Sequence, residues 1–405
     1  MDLGSALSSE VSKGRGHRMR VKFTPAVVVV VLASMIASVG GVAVASGSTN
    51  TGRSTGVHAT VKPHDLTLSQ LMKELLNPTS LRFAKPNHKF KPGKHKVAVI
   101  SADVAGAGAA TLIPFIDAAI KAIGWPVPKT GNGNLSPTTE SSLIEQAVNG
   151  GAKGIILIAV TSSAVSAALQ LAKARHVPVV CANCGPNNGP GAVPGVIESG
   201  GSSVLQGKAQ GAYVAQQLLA TGGNVIAFND NEFYQDTVQI GAAVQAVNEY
   251  CSKCTVEEDN TNTTEVFAPG VPFFAAFLAA HPVNSVQWII TPYDPAAAPF
   301  ATEAQQEGRT EINFMGYGGL QPFVADIQAG SPVGAKADIL VPIPYESWAA
   351  VDLLARAISH LKLWNANSLP AGIYDQANYK RFNLTAPFLN PPFNYQAFFK
   401  AQWER

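Results

Sequence analysis

The chain is poor in charged residues, and the few that it has are unevenly distributed. Charged residues make up 14% of the sequence, against about 25% in an average soluble protein, while hydrophobic residues make up 46%. Residues 1–96 contain 14 of the 29 Lys and Arg but only 4 of the 27 Asp and Glu. The rest of the chain is therefore acidic and has no basic stripe, which argues against a nucleic-acid-binding function.

Residues that could carry catalysis are also scarce. The body of the chain, from residue 96 onward, contains no GxSxG, HExxH or P-loop motif. Five of the eight histidines precede the first strand of the body, and the others, His176, His281 and His360, stand where turns and helix ends are predicted. A general base would have to be Asp103 or Asp294, and neither has an evident nucleophile partner. We expect no enzyme activity, no cofactor and no metal.

The four cysteines form two CxxC pairs, Cys181 with Cys184 and Cys251 with Cys254. We predict one local disulfide in each pair, because the protein has the features of an exported one. A four-thiolate zinc site, free thiols and a thiol-oxidoreductase centre are the alternatives. The two pairs fall in different halves of the chain, and Cys181 ends a strand, whereas a redox-active cysteine needs a helix N-terminus.

The N-terminal segment predicts export. Basic residues precede an apolar stretch at 26–39, and the small residues at 43–45 suit a signal peptidase, so residues 1–45 read as a signal peptide. An uncleaved membrane anchor is the alternative, because residues 26–45 are long enough to cross a bilayer. Both predict a protein of the periplasm or cell surface.

Two further segments flank the predicted body. Residues 46–95 are predicted to form a basic stalk or linker with one short helix, which begins with a capping box of Thr67 and Gln70. Residues 361–405 contain ten aromatic residues. We expect this tail to pack on the second lobe of the body, with a docking surface for a permease as the alternative.

The body repeats one βα pattern twice. In each copy, apolar runs of strand length alternate with segments of helical periodicity, which predicts crossover connections and parallel sheets. We therefore predict an α/β fold with two Rossmann-like lobes. The strand-like runs are KVAVISA at 96–102, GIILIAV at 154–160, VPVV at 177–180, NVIAFN at 224–229, VQWIIT at 286–291 and INFMGYG at 312–318.

Three segments of the body resemble the type I periplasmic binding proteins, the sugar-binding group of solute receptors for ABC importers. They are GGAKGIILI at 150–158, AKARHVPVV at 172–180 and VIESGGSSVLQGKAQGAYVAQQL at 196–218. The resemblance covers residues 96–360 and lies in the order of the elements more than in any single motif.

The resemblance implies two lobes joined by a three-strand hinge. The lobes would close on a small-molecule ligand, and a monomeric receptor would deliver it to an ABC permease. We assign residues 96–200 plus 319–341 to lobe 1, and residues 201–318 plus 342–405 to lobe 2. A receptor that presents its ligand to a membrane signalling partner is the alternative.

Polar and aromatic side chains follow the predicted strands, at the sheet edge where α/β proteins bind ligands. Such a mixture suits a ring with hydroxyl groups and C–H faces. The Asp and Asn residues could instead satisfy loop backbone groups. The predicted ligand contacts are Asp103, Thr161, Ser162, Asn183, Asn229, Phe233, Tyr234, Tyr293, Asp294 and Tyr317.

The sequence departs from the family's sugar-binding pattern at charged positions. Asn183 and Cys184 stand where an acidic residue and an arginine are expected, Gly318 replaces an aspartate, and no arginine occurs at 235–241. Only Asp294 keeps its expected carboxylate. Charge-assisted bonds to vicinal hydroxyls are the strong polar contacts of a sugar site. We therefore predict a ligand less polar than a simple sugar, modified, aromatic or lipophilic, with a simple sugar as the alternative.

Overall fold

The described part of the chain is built around two sheets. All described residues belong to one compact unit, Thr60–Arg405. Among them, no helix is both long and apolar enough to cross a membrane. The predicted signal peptide or anchor at 1–45 lies outside the described residues. The computed structural model describes residues 67–185, 193–330, 334–366, 370–382 and 388–404.

The first sheet has five parallel strands in the order β2-β1-β3-β4-β5. All four residues of the third strand, with the sequence IILI, are buried, as expected for a strand covered on both faces by helices. The strands are β1 (Ala98–Ser101), β2 (Gly131–Asn132), β3 (Ile155–Ile158), β4 (Val179–Ala182) and β5 (Val196–Ser199), and the connecting helices are α2 (Ala107–Ile123), α3 (Pro137–Asn149) and α4 (Ser166–Ala174).

The second sheet has six strands in the order β11-β10-β9-β8-β6-β7, all parallel except the edge strand β11. The predicted fold class is confirmed, although β11 was not foreseen. The strands are β6 (Gly223–Asp230), β7 (Cys254–Thr261), β8 (Trp288–Ile290), β9 (Asn313–Gly318), β10 (Ala335–Leu340) and β11 (Gly372–Asp375). The helices are α5 (Ser203–Leu218), α6 (Tyr234–Tyr250), α7 (Thr263–Val266), α8 (Pro272–Ala280), α9 (Asp294–Gln306) and α10 (Phe323–Ala329).

Helices α5 and α6 lie unusually close together on the second sheet. A Cβ atom on Gly207 or Gly211 of α5 would collide with the backbone of α6 at Gln239 or Ala243. Glycine at these positions therefore allows the two backbones to approach. The contact holds α6 in place, and the first turn of α6 faces the other lobe.

The predicted division of the C-terminal third between the lobes is wrong. Strand β10 lies within 319–341, which was assigned to lobe 1, but it pairs with β9 in the second sheet. Helix α11 (Ile343–Ile358), assigned to lobe 2, packs on α2 and the first sheet instead. The repeated pattern contains no signal for this exchange, because which sheet an apolar element joins depends on contacts distant in sequence.

The chain crosses between the two lobes three times within the body, as the three-strand hinge implies, and its flanking segments add further crossings. It crosses at residues 200–202, at residues 341–342, and between α11 and β11. Helix α1 (Leu68–Leu75) packs on α5 of the second lobe and α12 (Tyr395–Gln402) packs on α11 and α2, so both flanking segments cross as well.

Residues 67–95 are part of the folded body rather than a stalk. The predicted capping box is present, with Gln70 N–H donating to Thr67 Oγ1 at 3.3 Å and Thr67 N–H donating to Gln70 Oε1 at 2.9 Å. Phe90 is buried in the main core, and the hydroxyl of Tyr345 donates to the carbonyl of Ala84 at 2.6 Å. Burial of these apolar residues outweighs the basic composition that suggested a solvated linker.

The aromatic tail is divided between the lobes: Tyr374 and Phe382 pack in the core of the second lobe, as predicted, whereas Trp403 packs on the first. Trp403 stacks on Trp348 of α11 with ring centroids 5.5 Å apart. The buried Asp352 carboxylate accepts hydrogen bonds from Trp364 Nε1 and Trp403 Nε1, both at 2.8 Å, and pairs with Arg356 at 2.7 Å. These bonds join the tail to the helix that lies on the first sheet.

Both predicted local disulfides are present. Cys181 is bonded to Cys184 at the end of β4, with the Cα atoms 5.7 Å apart. Cys251 is bonded to Cys254 between α6 and β7, with the Cα atoms 5.4 Å apart. The two pairs belong to different lobes, so the alternative of a shared four-thiolate zinc site is wrong.

Candidate ligand-binding site

A cavity of about 100 Å³ lies between the two lobes, at the carboxyl ends of their strands. The first lobe lines it with residues that follow β1, β3 and β4 and with the start of α11, and the second lobe with residues that follow β6, β8 and β9. Five of the ten predicted contact residues are brought together here, and their contact with a ligand stays a prediction. They are Asp103, Asn183, Phe233, Tyr293 and Tyr317.

Tyr293 is oriented by the carboxylate at the end of β6. Its hydroxyl donates to Asp230 Oδ2 at 2.7 Å. Asp230 is fully buried, and burial raises its pKa to about 6 although the hydrogen bond from Tyr293 opposes the increase. Burial and the Asp230 charge in turn raise the pKa of Tyr293. The ring of Tyr293 is therefore held against the cavity as a neutral phenol.

Tyr317 rests on a buried layer of glutamine side chains. Its hydroxyl donates to Gln206 Oε1 of α5 at 3.0 Å. Gln210 Nε2 donates to the carbonyls of Thr291 and Gly316, and Gln239 Nε2 donates to Gln210 Oε1 at 2.9 Å. This layer satisfies backbone groups at the ends of β8 and β9 and so supports the floor of the cavity.

The lobes touch beside the cavity through Thr161 and Tyr234, two predicted contact residues that do not line it. The backbone N–H of Tyr234, in the first turn of α6, donates to Thr161 Oγ1 at 3.4 Å. A Cβ atom on Gly185, which follows β4, would lie 3.0 Å from the ring of Tyr234. These residues hold the lobes together instead of facing the cavity.

Three other predicted residues also lie outside the cavity lining. Asn229 donates to Glu258 Oε1 of β7 at 2.8 Å, and Ser162 begins a 3₁₀ turn after β3. The buried carboxylate of Asp294 accepts from the backbone N–H groups of Tyr317 and Leu320 at 2.9 and 2.5 Å. Asp294, the one carboxylate kept from the sugar-binding pattern, therefore organises the loop after β9.

Glu346, in the first turn of α11, lines the cavity but was not predicted. Its side chain is 3% exposed, and its Oε1 atom has no hydrogen-bond partner. Burial raises its pKa to about 8. Gly200 lies directly beside it with φ +144°, and a Cβ atom there would stand 2.7 Å from Glu346 Oε1. The only sequence signal was an acidic residue at the start of a helix that follows a buried strand.

Gln235 and Asp236, in the first turn of α6, also line the cavity and were missed. Both are buried, and the Oε1 atom of Gln235 has no hydrogen-bond partner. Burial, with the nearby Asp230 charge, raises the pKa of Asp236 well above its ordinary value. In the sequence, this segment is distinguished only by the arginine that it lacks.

The lining as a whole is apolar and acidic. Carboxyl groups come from Asp103, Asp236 and Glu346, and no Lys, Arg or His occurs among the described residues that line the cavity. Across the described part of the chain, no group of three or more His, Cys, Asp or Glu is arranged to hold a metal ion. The arrangement provides enclosure, aromatic surface and hydrogen-bond acceptors, which are the means of binding a small molecule.

Solved structures share this two-lobed architecture. An ABC transporter solute-binding protein from Mycobacterium smegmatis with bound glycerol has 18% identity and a TM-score of 0.65, covering 74% of this chain and 100% of its own. One from Agrobacterium vitis with bound allitol has 15% identity and a TM-score of 0.61, with coverages of 70% and 96%. One from Bacillus halodurans with bound myo-inositol has 13% identity and a TM-score of 0.60, with coverages of 72% and 97%.

The sequence itself carries the family's pattern. No curated protein matches the chain. The profile of the periplasmic binding protein domain, however, matches residues 97–362, which include both sheets up to β10 and the whole of α11. This match and the shared architecture agree with the resemblance seen in the strand and helix order. The chain belongs to the periplasmic binding protein family and has the type I fold of the solute-binding proteins of ABC transporters.

Proposed function

We propose that this protein captures a small molecule between its two lobes outside the cytoplasm and delivers it, as a monomer, to an ABC importer in the membrane. The observation that carries the proposal is the cavity between the lobes, to which both contribute side chains. A ligand enclosed in this way stabilises the closed arrangement, and a permease can recognise that arrangement. The protein performs no chemistry on its ligand. Residues 1–45 direct its export or anchor it.

We further propose that the ligand is less polar than a simple sugar. None of the described lining residues is an arginine, and the lining includes Leu112, Leu320 and Ile343 together with aromatic rings. Arginine is the donor best suited to bidentate contacts with adjacent hydroxyl oxygens. The related structures hold glycerol, allitol and myo-inositol, so a sugar or polyol is the competing ligand class.

A thermal-shift screen tests both parts of the proposal. The secreted form would be heated with monosaccharides, polyols and small aromatic or alicyclic compounds, because a ligand of the native state raises the melting temperature by mass action. We expect compounds with an apolar ring to raise it in a saturable manner, with no product formed. Stabilisation by simple sugars alone would contradict the ligand class. The absence of stabilisation by any compound would contradict solute binding.

The importer is tested separately. The gene should lie beside genes for a permease and an ATPase, and its deletion should abolish uptake of the compound identified by the screen. A neighbouring gene for a membrane kinase, with uptake unchanged, would favour the signalling alternative.

A further inference from the structure

The cavity contains acceptor groups with no donor to match them. Glu346 is 3% exposed and Gln235 is 7% exposed, and the Oε1 atom of each lacks a hydrogen-bond partner. The first belongs to α11 of the first lobe and the second to α6 of the second lobe, and both line the cavity. A buried acceptor without a donor destabilises the protein, and more so if it is charged. A ligand that donates hydrogen bonds to these two oxygen atoms would satisfy them.

The charged groups that line the cavity indicate which kind of hydrogen-bond donor the ligand carries. Asp103, Asp236 and Glu346 contribute three carboxyl groups, and no described lining residue is basic. Buried carboxyl groups elsewhere in the described protein differ in this respect: Asp352 has Arg356 and two indoles as partners, whereas neither carboxyl oxygen of Asp338 in β10 has one. Asp338 does not line the cavity, so Glu346 is the unpartnered carboxyl that a ligand there can reach.

Aromatic rings surround the same space. Phe233, Tyr293 and Tyr317 line it, and the half-exposed Phe267 stands at its edge. Ring faces attract a cation within about 6 Å by their quadrupole, with tyrosine among the better partners. The same rings also pack against an apolar body.

Together these features describe a site for an ammonium group attached to a compact apolar body. We infer that the ligand is a small amine, whose protonated amino group pairs with Glu346 while its apolar part lies among the aromatic rings. An ammonium has three donors and no acceptor, which matches the unpartnered Oε1 atoms of Glu346 and Gln235. This inference rests on the proposed function and identifies the ligand class within it.

The protonation of Glu346 provides a separate signature. Burial raises its pKa to about 8, so in the unliganded protein at pH 7 the side chain is mostly protonated. The titratable groups that share the cavity are Asp103, Asp236, Tyr293 and Tyr317, and none of them is a cation. Pairing with an ammonium favours the carboxylate, so binding should release up to about one proton per amine at pH 7. A neutral ligand would release none.

Matched amines and alcohols test the inference on the unchanged protein. The probes are benzylamine with benzyl alcohol and isobutylamine with isobutanol, titrated calorimetrically in two buffers of different ionisation enthalpy at pH 7. We expect at least one amine to bind at least tenfold more tightly than its alcohol and to release protons. Equal binding of both members of each pair, or binding without proton release, would overturn the inference.

Two variants locate the effect. Glu346→Gln should weaken amine binding at least tenfold, leave alcohol binding within twofold, and abolish proton release. Glu307→Gln makes the same substitution at the exposed end of α9 and should change nothing. If polyols or alcohols bind and amines do not, the inference fails while the proposed solute-binding function stands. If no amine, alcohol or sugar binds, both fail.

Discussion

Thr161 of the first lobe accepts a hydrogen bond from the backbone N–H of Tyr234 of the second lobe, with 3.4 Å between Oγ1 and N. The bond lies beside the cavity, where β3 ends and α6 begins. Opening of the cleft would break this hydrogen bond. The Thr161 side chain therefore stabilises only the closed arrangement of the lobes. A sequence-predicted ligand contact thus has a different task, which is to hold the lobes together.

Replacement of Thr161 should weaken ligand binding without direct loss of a ligand contact. Thr161→Val keeps the shape but removes the acceptor, and we expect a loss of about 0.5–1.5 kcal/mol, or about two- to tenfold in affinity. Calorimetric titration with the ligand from the screen measures this. The same change at the exposed Thr138 of α3 serves as control. Unchanged affinity would show that the interlobe bond does not contribute.

Tyr293→Phe should destabilise the protein more at high pH than at low pH. The change removes the hydroxyl that donates to the buried Asp230 carboxylate, and a buried acceptor left without its donor costs about 1–3 kcal/mol. With a pKa of about 6, Asp230 is charged at pH 8 and mostly protonated at pH 5, where the loss is smaller. Urea unfolding at both pH values measures the difference. An equal loss of stability at both pH values would show that the effect does not depend on the charge of Asp230.

The unliganded protein should lose stability as the pH rises from about 4.5 to 8. Burial raises the pKa of Glu346 from 4.5 to about 8, so the folded state holds a proton that the unfolded state has released in this range. Each such group lowers the free energy of unfolding by up to about 1.4 kcal/mol per pH unit. Asp230, whose pKa rises from 3.8 to about 6, acts in the same direction at lower pH.

Melting curves between pH 4.5 and 8 test this dependence. Glu346→Gln should reduce the slope of the profile from about pH 5 to 8, including the lower part, where Asp230 also contributes. A melting temperature that rises over this range in the unchanged protein would contradict the assignment.

Gly200→Ala should disturb the Glu346 carboxyl. The new methyl group would stand 2.7 Å from Oε1, in a backbone conformation with φ +144° that side chains rarely adopt. We expect at least a tenfold loss of affinity together with a loss of about 1–3 kcal/mol in stability. Gly308→Ala is the matched control, because Gly308 also has a positive φ but nothing lies within 4 Å of its Cβ position. Similar affinity losses in both variants would argue against a role of the Glu346 contact.

The second disulfide should stabilise the protein without serving its binding function. Replacement of Cys251 and Cys254 by serine opens a short loop far from the cavity lining, and the chain-entropy estimate for so short a loop is about 2 kcal/mol. Chemical unfolding and ligand titration of the double variant measure the two properties. A large loss of affinity with little loss of stability would reverse this assignment.

Much of the fold could be predicted because it is encoded locally. The runs IILI of β3 and WII of β8 are buried in parallel sheets, as their continuous apolar character indicates, and the Thr67 capping box forms within four residues. The cysteine pairs lie three residues apart and close locally. The lobe to which α11 belongs could not be predicted, because its apolar face would suit either sheet.

The candidate site was predictable only in part, for a related reason. Strand order brings residues such as Asn183, Phe233 and Tyr293 to one edge, and topology alone implies that edge. Whether a side chain at the edge faces the cavity or the loop backbone depends on its orientation. Tyr293 lines the cavity, whereas its neighbour in the chain, Asp294, accepts hydrogen bonds from the loop backbone. Glu346 was missed because it reaches the cavity from α11, outside the repeated pattern.

The sequence by itself determined the alternation of strands and helices, the pairing of the cysteines and the family, because these depend on local apolar periodicity, short-range closure and element order. Only the tertiary structure decided which lobe holds α11, how the aromatic tail is divided between the lobes, and which carboxyl groups are satisfied by backbone groups or left without a partner. Those outcomes depend on contacts between residues distant in sequence, as between Gly200 and Glu346. Desolvation and hydrogen bonding act on these side chains only after the two lobes have come into contact.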